Sequence, residues 1–196
     1  MKPNRLHNYR QLQTVVRTLL GCFFVLLSWS SYISAPQSPA EVREAQVKAG
    51  FLFNFPNFVD WRQNSLNAAR EFKLCLLESS LEQALNSLVQ NQTINGKAIR
   101  VERRSTSQGF DDCQVLFFGS SEAARSPAVF RSLETKPILT VGEDPDFLQN
   151  GGMIRLKKVE NRIGFDINVG AARRAGLQIS SRLLRLAETV QGREQP

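Results

Sequence analysis

Cysteine and histidine, the two residue types most often used for covalent and metal chemistry, are scarce in this chain of 196 residues. It holds three cysteines and one histidine, and His7 and Cys22 both lie near the N-terminus, in a basic and then apolar stretch. The rest of the chain has no histidine. Activation of a nucleophile by a Ser–His–Asp or Cys–His arrangement and most zinc catalysis need one, so these mechanisms are excluded there. Two cysteines alone do not complete a cysteine-rich zinc site. We therefore expect that the protein is not an enzyme and that it binds neither a metal ion nor a cofactor.

The two remaining cysteines, Cys75 and Cys113, lie in apolar runs at 72–77 and 113–118 that are typical of strands. Two thiols in an oxidising compartment most simply pair with each other, and neighbouring strands would allow the bond. Closing a loop of this length would stabilise the fold by about 4 kcal/mol. The alternative is a pair of buried free thiols, since cysteine is often a small core residue.

The N-terminal stretch has the layout of a secretory signal peptide. Residues 1–40 contain four basic and no acidic residues, and the apolar run at 19–29 is too short for a spanning helix of about 20 residues. We predict a signal peptide over 1–40, cleaved after Ala40, and a protein that folds outside the cytoplasm. An uncleaved membrane anchor and lipidation at Cys22 are the alternatives.

The net charge of the chain comes largely from this leader. The whole chain carries +7, and removal of the four leader cations leaves 21 basic against 18 acidic residues, or +3. That charge is ordinary for solubility, so we expect no nucleic-acid partner. The remaining length fits one domain, predicted over 41–191, followed by a flexible tail at 192–196.

Strand-like and helix-like patterns alternate along this domain. The helical patterns lie at 41–55 and 122–133, and the strand-like runs lie at 72–77, 97–103, 113–118 and 137–141. Two further strands at 153–156 and 162–167 suggest a hairpin, and a short helix follows at 169–175. This order predicts an α/β fold with a mainly parallel sheet, helices on both faces and a late antiparallel hairpin.

Several polar residues have the positions of helix caps. Ser79 is predicted to cap a helix that follows the first strand, in a capping box with Glu82. Asp144, followed by proline, suggests the start of a short helix. Ser180 is predicted to cap a last helix that continues through Val190. The acidic residues around Asp144 lack the spacing of a calcium loop.

An aromatic segment and a group of charged residues are the candidates for binding. Residues 51–61 contain five aromatic residues, which either fill the core or form a patch for a partner or ligand through Phe55, Phe58 and Trp61. The last two helical segments carry four arginines, which either grip an anionic partner or form a solvated face: Arg173, Arg174, Arg182 and Arg185.

Asp166 is a charged residue inside a predicted strand. Its neighbours Phe165 and Ile167 are expected to face inward. A carboxylate at this position either helps to cap the following turn through Asn168 or pairs with a nearby arginine.

Several segments in order resemble the YfiR family. They are VKAGFLFNFPNFVDW at 47–61, LCLL at 74–77, NGK at 95–97, CQVLF at 113–117, GGMI at 151–154, FDIN at 165–168 and AARRAGLQIS at 171–180. The resemblance covers nearly all of residues 46–190. No single segment is diagnostic, but their number and order are specific.

The resemblance implies a periplasmic repressor that binds the outward-facing sensor domain of an inner-membrane diguanylate cyclase of the YfiN type and so lowers cyclic-di-GMP. It also implies a homodimer, a structural Cys75–Cys113 disulfide, and partner contacts by Asp166, Arg173 and Arg174. A second cysteine pair found in some members near the Gly-Gly-Met segment is absent here. The alternative function is a periplasmic small-ligand sensor that feeds another membrane receptor, with its site at the carboxyl end of the sheet.

Overall fold

A computed structural model of the chain describes residues 38–61 and 69–192. The helices are α1 (Pro39–Asn54), α2 (Glu82–Val89), α3 (Pro127–Leu133), α4 (Val169–Arg174) and α5 (Ser181–Leu184). The strands are β1 (Val59–Trp61), β2 (Phe72–Leu76), β3 (Thr93–Ile94), β4 (Lys97–Arg103), β5 (Val115–Phe117), β6 (Leu139–Gly142), β7 (Ile154–Val159), β8 (Arg162–Asn168), β9 (Leu177–Ile179) and β10 (Thr189–Gln191). No helix in these ranges has the length and apolar composition needed to cross a membrane.

The main sheet confirms the predicted fold class. Its eight strands follow the order β10-β8-β7-β6-β5-β2-β4-β3. Strands β2, β4, β5, β6 and β7 run parallel to one another, whereas β8 is antiparallel to β7 and forms the predicted hairpin with it. The prediction did not include the separate two-stranded sheet, in which β1 pairs antiparallel with β9.

Helices cover both faces of this sheet. On one face, Leu52 of α1 and Phe55, which directly follows α1, share a core with Phe165 of β8, and the rings of Phe55 and Phe165 meet edge-on at 5.2 Å. On the other face, Phe130 of α3 stacks on Phe118 at 5.3 Å. Successive strand residues point to opposite faces of a sheet, so both faces present apolar side chains. The hydrophobic effect favours covering each face with a helix.

Helix α1 begins at Pro39 because Ser38 and Glu41 form a capping box. The Ser38 hydroxyl accepts a hydrogen bond from the Glu41 backbone N–H at 3.2 Å, and the Glu41 carboxylate accepts one from the Ser38 N–H at 2.7 Å. The predicted cleavage after Ala40 would remove this cap. Residues 1–37 of the predicted signal peptide and residues 193–196 of the predicted tail lie outside the described residues.

Two predicted helix starts are wrong. Helix α2 begins at Glu82 with Leu81 at its N-cap, and Ser79 contributes only its carbonyl, because Leu81 turns inward and is 1% exposed. No helix begins at Asp144, where the chain instead forms consecutive turns. Its carboxylate accepts the Asp146 N–H at 3.0 Å, but the Gly152 N–H bonds back to the Phe147 carbonyl and closes the segment.

Two predicted long helices are shorter in the structure. The helix predicted over 122–133 divides into a 3₁₀ turn (Glu122–Arg125) and α3, because Pro127 has no N–H to continue a helix and instead occupies the first turn of α3. The last helix is capped by Ser180 as predicted but ends at Leu184. Val190 lies in β10, where pairing with Ile167 of β8 replaces helical hydrogen bonds.

Candidate functional site

The carboxyl end of β8 holds a buried ion-pair cluster around Asp166. Arg155 of β7 lies directly opposite Asp166 across the hairpin, and its guanidinium binds the Asp166 carboxylate. The Lys157 ammonium lies 2.8 Å from the other carboxylate oxygen. The Asp166 side chain is only 3% exposed. Of the two predicted roles, pairing with a nearby arginine is the one the structure shows.

The charge of Asp166 is set by opposing effects. Burial raises the pKa of its carboxyl, but hydrogen bonds from Lys157 and Arg155 outweigh burial and hold that pKa below its ordinary value. The side chain is therefore a carboxylate neutralised by two cations of its own domain. It does not lie on an open surface, and direct contact with a partner stays a prediction.

Asn168 joins this cluster to helix α4. Its side-chain oxygen accepts a hydrogen bond from the Ala171 N–H at 3.0 Å and so caps the helix. Its amide donates to the Leu148 carbonyl at 3.1 Å, and its backbone N–H donates to the Met153 carbonyl at 2.8 Å. The start of α4 is therefore fixed to the sheet and to the neighbouring turn.

The predicted arginines lie on the outside of this part of the fold. Arg173 and Arg174, at the end of α4, are exposed. The Arg174 Nε binds the Glu134 carboxylate at 2.9 Å, and both side chains are about half exposed, at 52% and 50%. Arg182 and Arg185 are exposed on the separate segment around α5.

The predicted aromatic patch is largely part of the core. Phe55 is 1% exposed and stacks against Phe51, so it is not a surface residue. Phe58 and Trp61 are half-buried against the same core. The Trp61 indole N–H donates to the Pro137 carbonyl at 3.0 Å. A binding role for Phe58 and Trp61 stays a prediction.

The predicted disulfide joins Cys75 of β2 to Cys113, just before β5. Their Cα atoms are 5.9 Å apart, and the two strands are neighbours in the sheet. Cys75 is fully buried and Cys113 is 2% exposed. The bond therefore ties two core strands and is shielded from reagents in the folded protein.

A side chain of the protein itself fills the crevice between the carboxyl ends of β2 and β5. The chain connections on the two sides of this point lead to strands on opposite sides of the sheet, from β2 to β4 on one side and from β5 to β6 on the other. Open α/β sheets usually bind ligands at such a point. Glu78 lies here, and its carboxylate accepts hydrogen bonds from the Ser120 N–H at 3.1 Å and the Ser120 hydroxyl at 3.3 Å. It rests on Gly119, where a Cβ atom would come within 1.9 Å of the Glu78 carboxyl carbon.

The neighbouring acid at this end of the sheet is also paired. Burial raises the pKa of the Glu143 carboxyl above its ordinary value, and Lys48 of α1 offsets part of that effect from 2.9 Å. The same Lys48 ammonium binds Glu44 at 2.7 Å. These acids are therefore held by a lysine, and the described residues form no cluster of three or more His, Cys, Asp or Glu suited to a metal.

A cavity of about 250 Å³ lies between α3, the turn at 149–151 and α4. Phe130, Leu133 and Met153 contribute apolar walls, and Arg131, Glu134 and Arg174 contribute charged ones. The predicted residue Arg174 thus lines this cavity as well as the outer surface.

Sequence reasoning missed Arg155, Lys157 and Glu134 as parts of the site. The first two alternate along β7, which is a signal of a charged strand face, but only the hairpin register aligns them with Asp166. The pairing of Glu134 with Arg174 joins segments distant in sequence, and the local pattern contains no signal for it.

Comparisons with known proteins relate this chain to one family and to one solved structure. The sequence profile of the YfiR/HmsC-like family matches residues 45–188. A solved structure of a conserved domain protein from Vibrio cholerae O1 biovar El Tor is similar at 13% sequence identity, with a TM-score of 0.44. That match covers 79% of this chain and 60% of the other chain, so this chain spans about 60% of the length of that protein.

The family match extends from within α1 to the segment before β10 and includes both cysteines, the Asp166 strand and α4. The chain therefore belongs to the YfiR/HmsC-like family.

Proposed function

We propose that this protein represses an inner-membrane diguanylate cyclase by binding the periplasmic sensor domain of the cyclase. The contact surface in this proposal is the pair Arg173 and Arg174, named here the α4 arginine surface. The observation that supports it most is the way this surface is held. Asn168 caps α4, and the strand that carries Asn168 is tied to β7 by the buried Asp166.

Such an arrangement suits recognition of a protein. Guanidinium groups bind carboxylates through paired, charge-assisted hydrogen bonds, and a rigid support reduces the entropy lost on binding. Asp166 serves in this proposal as a positioning residue, because its carboxylate is engaged by Arg155 and Lys157 within the domain. An acidic patch on the sensor domain is the complementary partner.

Repression in this proposal works by a shift of populations. The sensor domain exchanges between an active and an inactive conformation, and the repressor binds the inactive one more tightly. A coupling free energy of about 1–3 kcal/mol would change the active fraction several-fold. The repressor needs no chemistry of its own.

The same proposal includes export by the signal peptide, with the folded domain acting in the periplasm as a homodimer. The Cys75–Cys113 bond has a structural role in it. Both sulfur atoms belong to buried residues, so a mild reductant would reach them only after local opening. Loss of the bond would release the cyclase by destabilising the repressor.

A small-ligand sensor with its site at the carboxyl end of the sheet is the second candidate. Glu78 fills the crevice there, and its contacts with Ser120 use donors that a ligand would need. That end of the sheet therefore offers less support for a ligand than the α4 arginine surface offers for a protein partner.

The experiment is crosslinking in intact cells, followed by capture of the tagged protein from solubilised membranes and mass spectrometry. The wild type should capture a protein that contains a diguanylate cyclase domain. The double variant Arg173→Glu/Arg174→Glu should lose it, whereas Arg182→Glu/Arg185→Glu, with the same charge change on the other segment, should keep it. Capture of no cyclase by the wild type would overturn the proposal.

A further inference from the structure

The cavity between α3 and α4 has the size of a small metabolite. Its volume is about 250 Å³, which is slightly below the range of about 300–1,000 Å³ typical of sites for drug-sized ligands. A compound of roughly ten non-hydrogen atoms matches this size, whereas a nucleotide does not. Neither Glu78 nor Ser120 lines this cavity, so it is distinct from the crevice that Glu78 fills.

The walls of the cavity divide into an apolar and a charged part. Phe130, Leu133 and Met153 are almost completely buried and present apolar surface. Arg131, Glu134 and Arg174 are exposed and line the cavity on the solvent side. A ligand that fits both parts has an apolar body with a polar group at one end.

The charged part favours a negative group on the ligand. Two guanidiniums face one carboxylate, so the net charge of these three side chains is positive. Glu134 engages Arg174 at its Nε, at 2.9 Å. Among residues 38–61 and 69–192, Arg131 has no ion pair or side-chain hydrogen bond, so its full set of donors is available. A guanidinium with free paired N–H groups matches the geometry of a carboxylate.

We propose that this cavity binds a small carboxylic acid with an apolar body, with the carboxylate on Arg131 and the body against Phe130 and Met153. Binding at this site does not require a cyclase, so its test needs only the purified protein. Arg174 belongs to both regions, so an occupied cavity would also touch the helix that presents the α4 arginine surface.

Glu134 limits the affinity in this proposal. Its carboxylate repels the carboxylate of the ligand and competes with it for Arg174. Replacement by glutamine keeps the size of the side chain and removes its charge. Glu134→Gln should therefore bind the acid more tightly, which is the opposite of the effect expected at Arg131.

The test is isothermal titration of the purified protein with benzoate, which has a single carboxylate and a compact apolar body. Benzamide serves as the uncharged control and inorganic phosphate as the anion without an apolar body. Benzoate should bind the wild type, and Arg131→Gln should weaken binding about fivefold, as expected for loss of an exposed charge-assisted contact. Glu134→Gln should strengthen binding about twofold or more, and Arg182→Gln, an exposed arginine outside the cavity, should leave it unchanged.

Several results would overturn the proposal. One is the absence of benzoate binding to the wild type at millimolar concentrations. Another is equal binding of benzamide or phosphate, because the site would then recognise only one half of the ligand. Equal affinities of Arg131→Gln and Arg182→Gln, or weaker binding by Glu134→Gln, would place benzoate elsewhere. Circular dichroism of each variant without ligand serves as the check on folding.

Discussion

Arg155 and Asp166 are cross-strand partners on β7 and β8, and their side chains form an ion pair. The Asp166 side chain is 3% exposed to solvent and the Arg155 side chain is 23% exposed. The pair ties the late hairpin to the turn at Pro145, because a second nitrogen of the same guanidinium donates to the Pro145 carbonyl at 2.5 Å. This contact fixes the strand from which α4 begins.

Removal of this charge should destabilise the protein. Asp166→Asn leaves Arg155 and Lys157 close together without their counter-ion, and we expect the free energy of unfolding at pH 7 to fall by about 2–3 kcal/mol. Urea denaturation followed by circular dichroism measures this difference. Asp60→Asn, an exposed aspartate in β1, should change it by less than about 0.5 kcal/mol. Equal effects of the two substitutions would contradict this account.

The same carboxylate should contribute to acid denaturation. Its pKa is lowered in the folded state, so its stabilising effect is complete above the unfolded value of about 4 and is lost as the pH falls through the folded value. The difference in stability between the wild type and Asp166→Asn should therefore be constant from pH 7 to about pH 5 and should shrink below about pH 4. A difference that persists unchanged to pH 2 would show that folding does not lower the pKa of Asp166, and would contradict this account.

The disulfide should stabilise the fold and resist reduction. Its cysteines are 38 residues apart, so Cys75→Ala/Cys113→Ala should lower the free energy of unfolding by about 4 kcal/mol on the chain-entropy estimate. Because both cysteines are buried, dithiothreitol should release thiols slowly from the native wild type and rapidly in urea. Thiol labelling with mass spectrometry measures both rates. Rapid reduction without urea would favour a regulatory role for the bond.

Gly152 should be intolerant of a side chain because Phe147 packs directly on it. A Cβ atom at Gly152 would lie 2.2 Å from the Phe147 ring, and Phe147 is fully buried. Gly152→Ala should therefore lower the free energy of unfolding by about 1–3 kcal/mol. Gly50→Ala, inside α1 with no atom within 4 Å of the new Cβ, should raise it by about 0.5–1 kcal/mol. The two alanine variants are compared by thermal melting, and the same sign for both would contradict the packing.

The fold class was predictable because its signals are long and local. The runs at β2, β4 and the β7–β8 hairpin are apolar or alternating and are separated by turn residues such as Asn95 and Gly96, both with positive φ. Strands β1, β9 and β10 have only three residues each, which is too short for a periodic pattern. At β10, Leu183, Leu184 and Val190 fit helical spacing, but pairing with β8 determines the structure.

The site was less predictable than the fold. For the disulfide and for the pairing of Asp166 with an arginine, residue type and strand position left two alternatives each, of which the structure shows one. The partners Arg155 and Lys157 depend on hairpin register, and the pairing of Glu134 with Arg174 depends on the packing of α3 against α4. Glu78 filling the sheet crevice also requires the spatial order of β2 and β5. Such contacts arise from tertiary structure, which a local pattern does not encode.

The most direct measurement of the central claim is the cellular level of cyclic-di-GMP in a strain that lacks this gene, restored in turn with three forms of the protein. The account predicts that deletion raises the level. The wild type and Arg182→Glu/Arg185→Glu should restore the low level, whereas Arg173→Glu/Arg174→Glu, present in equal amount, should not. No rise on deletion, or full restoration by Arg173→Glu/Arg174→Glu, would contradict repression through the α4 arginine surface.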